Sequence, residues 1–426
     1  MRKKAVLSYI KRHEGEIFWF VVPPLIALIY YAVKGVFIYL GPDAELYYSI
    51  AENFCTTGHF IQTARDSALF VVPFGVPLIL TVLRLIGFTL PMIIALQYLM
   101  LGTACMLLYK TERILFGRGG FAPVIYCIAL LRARIDLYDI YLEHYFLLLI
   151  ILLLYLSVRR DMPVKKRLTF MNLAGMYMVA CRPVLMPAYI AVLIYSLALL
   201  LRRRLPIGRF AVFLLIPALL FGANTLVNYR ETGYPIVMDS YSGRDFYAAN
   251  NPEASAGYYS SKIYESFGEE YTAVQNDPTL DRVQKNELFK KMGTKWVMEN
   301  PELFQCNTVK RFAEDFIWIW RYALIPCFFG AMHMIAACPQ WRRWAAVTLA
   351  VNLAVAVITA MGLVMVRYTV VVWPLAALHL SAVIFPTLDR LKRRISTKKQ
   401  IRASKNSPAS FHDAGFAVTR ERVSRG

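Results

Sequence analysis

The stretch IFWFVVPPLIALIYYAVKGVFIYLGPDAELYYSIAENFCTTGHF, residues 17–60, decides the fold. Residues 17–40 are almost unbroken apolar sequence. An α-helix needs about 20 such residues to cross the ~30 Å of hydrocarbon in a bilayer. The run then gives way, through Gly41 and Pro42, to a polar stretch that begins with an acid, Asp43.

The same apolar pattern recurs outward from this stretch. Apolar segments lie near 69–87, 91–109, 121–131, 144–158, 168–181, 184–201, 210–227, 316–337, 344–366 and 368–388. The chain of 426 residues is 58% hydrophobic, with mean hydropathy +0.45. A soluble chain of this length has a more mixed composition. The runs are continuous rather than alternating, which argues against a β-barrel. The expected fold is all-α: a polytopic membrane protein with about 10–12 transmembrane helices.

The net charge of +20 invites a nucleic-acid reading, but its distribution argues against one. The basic residues cluster in short loops: Arg2-Lys3-Lys4, Lys11-Arg12, Arg159-Arg160, Lys165-Lys166-Arg167, Arg202-Arg203-Arg204, Arg342-Arg343, and from Arg390 onward. That is the positive-inside pattern of cytoplasmic loops, so no nucleic-acid partner is expected. The initial apolar run is too long for a cleaved signal peptide and lacks a small-residue cleavage site. Most of the seven cysteines sit in apolar segments, where Cys behaves as a small apolar residue. A Cys55–Cys306 disulfide stays open if both face outside.

The basic N-terminus runs the first segment from inside to outside, which places Asp43 outside. Counting back from the basic tail puts Arg367, residues 228–315, Arg182 and residues 132–143 outside too. The two counts conflict between 69 and 118, because strict alternation would put Lys110 to Arg118 outside. Residues 69–87, with Pro73, Gly75 and Pro77, are the expected re-entrant or misread segment. Five regions follow: a cytoplasmic basic N-terminus (1–16), a transmembrane module (17–227) holding the external loop 41–68, an external loop region (228–315), C-terminal transmembrane helices (316–388), and a basic cytoplasmic tail without fixed structure (389–426). Within 228–315 the second half, from Asp281 to Asn307, reads as helical.

On a helix turning 100° per residue, Asp43, Tyr47, Ile50, Ala51, Phe54 and Gly58 share one face. Glu45, Ser49, Glu52, Asn53 and Thr56 take the other. Residues 43–59 therefore read as an amphipathic helix lying flat at the membrane surface. Asp43 starts its apolar face, as a helix N-cap or as a functional carboxylate.

The spacing D-x-x-x-Y-x-x-x-A-x-x-x-x-x-x-G directly after a first transmembrane segment resembles the first external loop of GT-C superfamily membrane glycosyltransferases. The resemblance is closest to the branch of protein O-mannosyltransferases and aminoarabinose transferases. The family usually has a second acid after the Asp, where this chain has Ala44. VPFGVPLILTVLRLIG (72–87), IYLEHYFLLLIILLLYL (140–156), LAGMYMVACRP (173–183), NYRETGYPIVMDSYSGRDFYAANNPEASAGYY (228–259), ENPELF (299–304) and VRYTVVVWPL (366–375) are similar in order to later family segments. The resemblance implies a GT-C-like fold in the inner (plasma) membrane, with its active site on the external, periplasmic face. It also implies transfer of a sugar from a polyprenyl-phosphate donor to a cell-envelope glycan, lipid or protein, with inversion.

A phosphate leaving group needs cations rather than a general acid. The acceptor hydroxyl needs a carboxylate to orient it and take its proton. Asp43 is the expected catalytic carboxylate. Arg182, Arg367 and Arg244 are the expected donor-phosphate ligands, and Glu143, Tyr47 and Asp139 acceptor or supporting residues. Asp136, Arg132 and Arg134 share that loop and are further candidates. Tyr241, Tyr247, Asn250, Asn251, Tyr258 and Tyr259 have the chemistry for sugar contacts. No tight His/Asp/Glu cluster occurs near His59 and Glu45, so no metal and no cofactor is expected; membrane lipids are the other partner. Two other functions fit the same chain: a transporter or flippase of a lipid-linked saccharide, and a non-catalytic relative. Paired half-repeats and mid-membrane charges would mark the transporter, and the loops show no repeat.

Overall fold

The computed structural model describes residues 2–36, 38–61, 71–133, 135–203, 206, 208–252, 268–313, 324–362 and 370–406. Every regular element among them is helical. In order these are α1 (Arg2–Val33), α2 (Pro42–Thr57), α3 (Gly75–Leu85), α4 (Leu90–Phe116), α5 (Phe121–Arg132), α6 (Leu142–Val158), α7 (Val164–Cys181) and α8 (Met186–Arg202). Then follow α9 (Gly208–Thr232), α10 (Ser242–Ala249), α11 (Gly268–Asn276), α12 (Arg282–Glu299), α13 (Pro301–Phe312), α14 (Leu324–Ala337), α15 (Arg342–Met361) and α16 (Trp373–Asn406). Among the described residues, six helices are long and apolar enough to cross a membrane, and four shorter apolar helices accompany them. Apolar side chains such as Ile26, Ile29 and Leu219 stand more than half exposed on α1 and α9. Side chains of that kind belong against lipid tails, and the chain is an all-α membrane protein.

Polar contacts fix how the helices run. Lys110 pairs with Glu16 at 2.9 Å, so the last turns of α4 lie beside the first half of α1. At the other end, Gln97 donates to the carbonyls of Leu137 (3.3 Å) and Asp139 (2.7 Å), while Gly41 donates to Asp139. The two helices are therefore antiparallel, and Gly102 lets α4 press against the Phe20 carbonyl where no Cβ would fit. This removes the conflict over residues 69–118. α3 has 11 residues, so it is roughly 16 Å long and too short to span. Lys110 to Arg118 thus share an end with the N-terminal half of α1, as the charge pattern demands. Arg167 donating to the Arg159 carbonyl, and Trp344 to Ser157 (2.7 Å), bring α6, α7 and α15 together at that same basic end.

A buried acid and a buried imidazole tie helices together. Glu112, fully buried, accepts from the backbone N–H of Gly120 (2.6 Å), Phe121 (3.1 Å) and Ala122 (2.9 Å), and so caps the start of α5 from α4. Ser381 donates to the same carboxylate at 2.5 Å. His379 sits with Nδ1 3.0 Å from Cys327 Sγ and Nε2 3.2 Å from Thr348 Oγ1, linking α14, α15 and α16.

The segment predicted helical from Asp281 is two helices. Asp281 caps α12 in a capping box with Gln284, and Pro301 starts α13. The chain divides at Val383. In the second unit, Ile384–Gly426, residues 384–406 continue as helix, where composition from 389 on had predicted no fixed structure. The Lys and Arg that dominate the sequence there are good helix formers, which favours a helix by propensity. Residues 407–426 lie outside the described residues.

Candidate functional site

α2 is the amphipathic helix expected from residues 43–59. Pro42 opens it, and Gly58, in the left-handed region at φ 77°, closes it. Tyr47, Ile50 and Ala51 are buried, as the face of the helix predicts. Asn53, placed on the watery face by periodicity, is buried too. The turn at Gly58 folds the chain back, and Asn53 Nδ2 donates to the carbonyls of His59 (3.1 Å) and Ile61 (2.7 Å). Gly58 therefore serves as a C-cap rather than as part of the apolar face. His59 bonds Glu231 at the end of α9 through Nδ1 (2.7 Å), so it joins α2 to α9. Glu52 pairs with Arg84 of α3.

Asp43 is half-buried in the first turn of α2. The loop before α6 comes to meet it. Gly41 N–H (3.1 Å) and Ile140 N–H (2.8 Å) both donate to Asp139 Oδ1. Asp139 is buried, and its carboxyl is pushed above the usual range: burial does most, and the Asp43 and Asp136 carboxylates add to it. Two acids from distant parts of the chain thus feel each other's charge, and the Asp43 carboxylate disfavours the charged form of Asp139. The neighbour position Ala44 is 1% exposed and packed in the core, where a second carboxylate would be desolvated. Asp136 accepts from Tyr31 (2.9 Å) and Tyr138 (3.1 Å), so it anchors the loop. Tyr47 lies in the core beneath Asp43's helix. Glu143 is completely buried in the first turn of α6, which makes it a core carboxylate rather than a loop one.

Arg182 caps the C-terminal end of α7 in extended conformation, with its guanidinium over the Phe146 ring at 5.9 Å. It reaches the charge field of Asp245 in α10. Arg244 pairs with Asp245 at 3.2 Å. Burial holds the Asp245 carboxyl high, the neighbouring Asp239 adds to this, and Arg244 and Arg182 oppose it. Arg282, at the start of α12, is pushed down to about 10 by burial and then by the Arg244 guanidinium. Arg182, Arg244 and Arg282 therefore all share the field of Asp245. The sequence pointed to the first two only; Arg282 was hidden in a surface helix, and its one signal was its place directly after the capping Asp281.

Residues 71–75 bridge the acid pair's helix and the arginine cluster. Val71 and Ser240 exchange hydrogen bonds at 3.0 Å each. Gly75 packs on the Cys181 backbone, where a Cβ would lie 2.6 Å from the Cys181 nitrogen, and Tyr177 donates its hydroxyl to the Gly75 carbonyl. Both groups of residues occupy the end opposite Lys110 and Arg159.

Other expected residues fall elsewhere. Tyr247 is stacked on Phe289 (5.6 Å) and forms, with Tyr271, a small core of its own between α10, α11 and α12. Asn250 and Asn251 are buried and donate to backbone carbonyls of the same helix. These three hold the loop instead of facing a sugar, because apolar rings in a small loop domain have no other core to make. Arg132 is exposed. Arg367, Arg134, Tyr258 and Tyr259 lie outside the described residues. Cys55 and Cys306 are exposed free thiols, so no disulfide joins them. No group of three or more His, Cys, Asp or Glu able to hold a metal occurs among the described residues. Compared with protein-family models, curated proteins and solved structures, the chain finds no match.

Proposed function

We propose that the protein is an integral-membrane glycosyltransferase of GT-C-like fold. It moves a sugar from a polyprenyl-phosphate donor to a cell-envelope glycan, lipid or protein on the outer face of the inner (plasma) membrane. The observation that carries this reading is the acid pair: Asp139 lies in the field of Asp43, at the same end of the bundle as three clustered arginines. In this reading Asp43 orients the acceptor hydroxyl and takes its proton as the oxygen attacks the anomeric carbon. The bond to the phosphate oxygen breaks as the new one forms, which inverts the carbon. Arg182, Arg244 and Arg282 hold the departing phosphate, and the anion relieves the repulsion between Arg244 and Arg282. Asp139, with its raised carboxyl, supports Asp43 and takes the place of the second acid absent at Ala44. No metal or cofactor enters the scheme.

The test is transfer from labelled polyprenyl-phosphate sugars in purified membranes, set beside movement of the same lipids across liposomes holding the protein. Label arriving on an acceptor supports the transferase. Lipid movement without transfer from any donor contradicts it and points to a flippase.

A further inference from the structure

At the basic end, α7, α8 and α9 enclose a cavity of about 390 Å³, away from the acid pair and the arginine cluster. Its rim carries Lys165, Lys166 and Arg209. None of the three forms an ion pair among the described residues; Lys166 only overlies the Phe170 ring at 5.9 Å. The wall below the rim is apolar, with Met176, Phe213 and Ile216. One polar side chain interrupts it. Asn172 is 4% exposed and gives its Nδ2 to the Leu168 carbonyl and to Ser196 Oγ, both at 2.8 Å, and its Oδ1 has no hydrogen-bond partner. A buried amide oxygen left so costs free energy until a donor reaches it.

We infer that this cavity is a binding site for an anionic phospholipid of the membrane, with the phosphate at Lys165, Lys166 and Arg209 and an acyl chain along Met176, Phe213 and Ile216. The charge of the rim decides the class. Three neighbouring cations without acidic partners, above an apolar slot at the end of membrane-length helices, match an anionic headgroup on a hydrocarbon tail. A zwitterionic lipid would bring its own cation against them. Free phosphate would satisfy the rim and leave the wall unused. Lys165 and Asn172 are seven residues apart on one helix, so about 10 Å separates the rim from the amide along its axis. That depth spans a headgroup and glycerol backbone, and a hydroxyl-bearing headgroup such as phosphoglycerol brings a donor of the kind that Asn172 Oδ1 lacks.

The experiment uses the full chain, delipidated in detergent and titrated with dioleoylphosphatidylglycerol, dioleoylphosphatidylcholine or inorganic phosphate. Bound lipid is counted by native mass spectrometry. One phosphatidylglycerol should bind in preference to phosphatidylcholine. Each of Lys165→Gln, Lys166→Gln and Arg209→Gln should weaken it about fivefold, and the three together about a hundredfold. Ile216→Trp, which fills the slot and leaves every charge in place, should also remove it. Equal binding of both lipids, competition by inorganic phosphate alone, or unchanged binding in the triple variant would overturn the inference. Arg390→Gln, on a different helix, should leave the count unchanged, and a loss there would equally contradict the site.

Discussion

The backbone N–H of Gly41 donates to the Asp139 carboxylate at 3.1 Å, across 98 residues of chain. This bond sets the loop before α6 against the first turn of α2 and brings two acids into one field. A Cβ at residue 41 would stand 2.7 Å from Asp139 Oδ2. Gly41→Ala should therefore displace the carboxylate and cost about 1–3 kcal/mol, since a buried amide loses its acceptor. Thermal denaturation of the purified protein reads this. Gly222→Ala is the control: a Cβ there meets nothing within 4 Å, and in mid-helix the change should be neutral or stabilising.

The Asp139 carboxyl is pushed up by burial first, then by Asp43 and Asp136. Its folded value exceeds the unfolded value of about 3.9, so the folded chain takes up this proton first. Stability from this group rises as pH falls through the raised value and levels off below the unfolded one. At neutral pH the wild type bears the full cost of the charge. Asp139→Asn keeps an acceptor for Gly41 and Ile140 and should melt at the same or higher temperature than wild type at neutral pH. The gap should close on acidification. A gap independent of pH would contradict the charge origin of the effect.

Arg311 is buried and spreads its guanidinium over four oxygens: Ala360 (3.3 Å), Gly362 (3.1 Å), Ala249 (3.0 Å) and Asn250 Oδ1 (3.3 Å). It joins α13 and the end of α10 to the end of α15. Arg311→Ala should cost about 1–3 kcal/mol, through buried oxygens left without a donor, and Arg311→Lys should recover less than half, because one ammonium cannot reproduce the planar fork. Limited proteolysis should then cut first within residues 233–313.

Glu112 caps α5 with three backbone bonds. Glu112→Ala should lower stability by about 2–4 kcal/mol, through three amide donors left buried without an acceptor. Glu112→Gln should fall between, since its single amide oxygen meets fewer of them.

Much of this was legible in the sequence, for physical reasons that differ by residue. The apolar runs marked the helices, because the length of an apolar run is a local property. Tyr47, Ile50 and Ala51 were found by the 3.6-residue period. Asn53 was misplaced because its burial depends on a chain reversal at Gly58 that periodicity does not record. Asp43 stood out by its place after the first apolar run. Its partnership with Asp139 was not, since nothing in spacing marks two loops 98 residues apart as neighbours. Tyr247 was misread because a ring in a polar loop looks the same whether it faces a ligand or a small core.

The most direct measurement of the central claim is sugar transfer from a labelled polyprenyl-phosphate donor by Asp43→Asn, in the same purified membranes as wild type and at equal protein. Asparagine keeps the size of the side chain and removes its basicity. The account predicts a loss of at least about 100-fold, with protein amount and melting temperature unchanged. Full transfer activity in Asp43→Asn would contradict it.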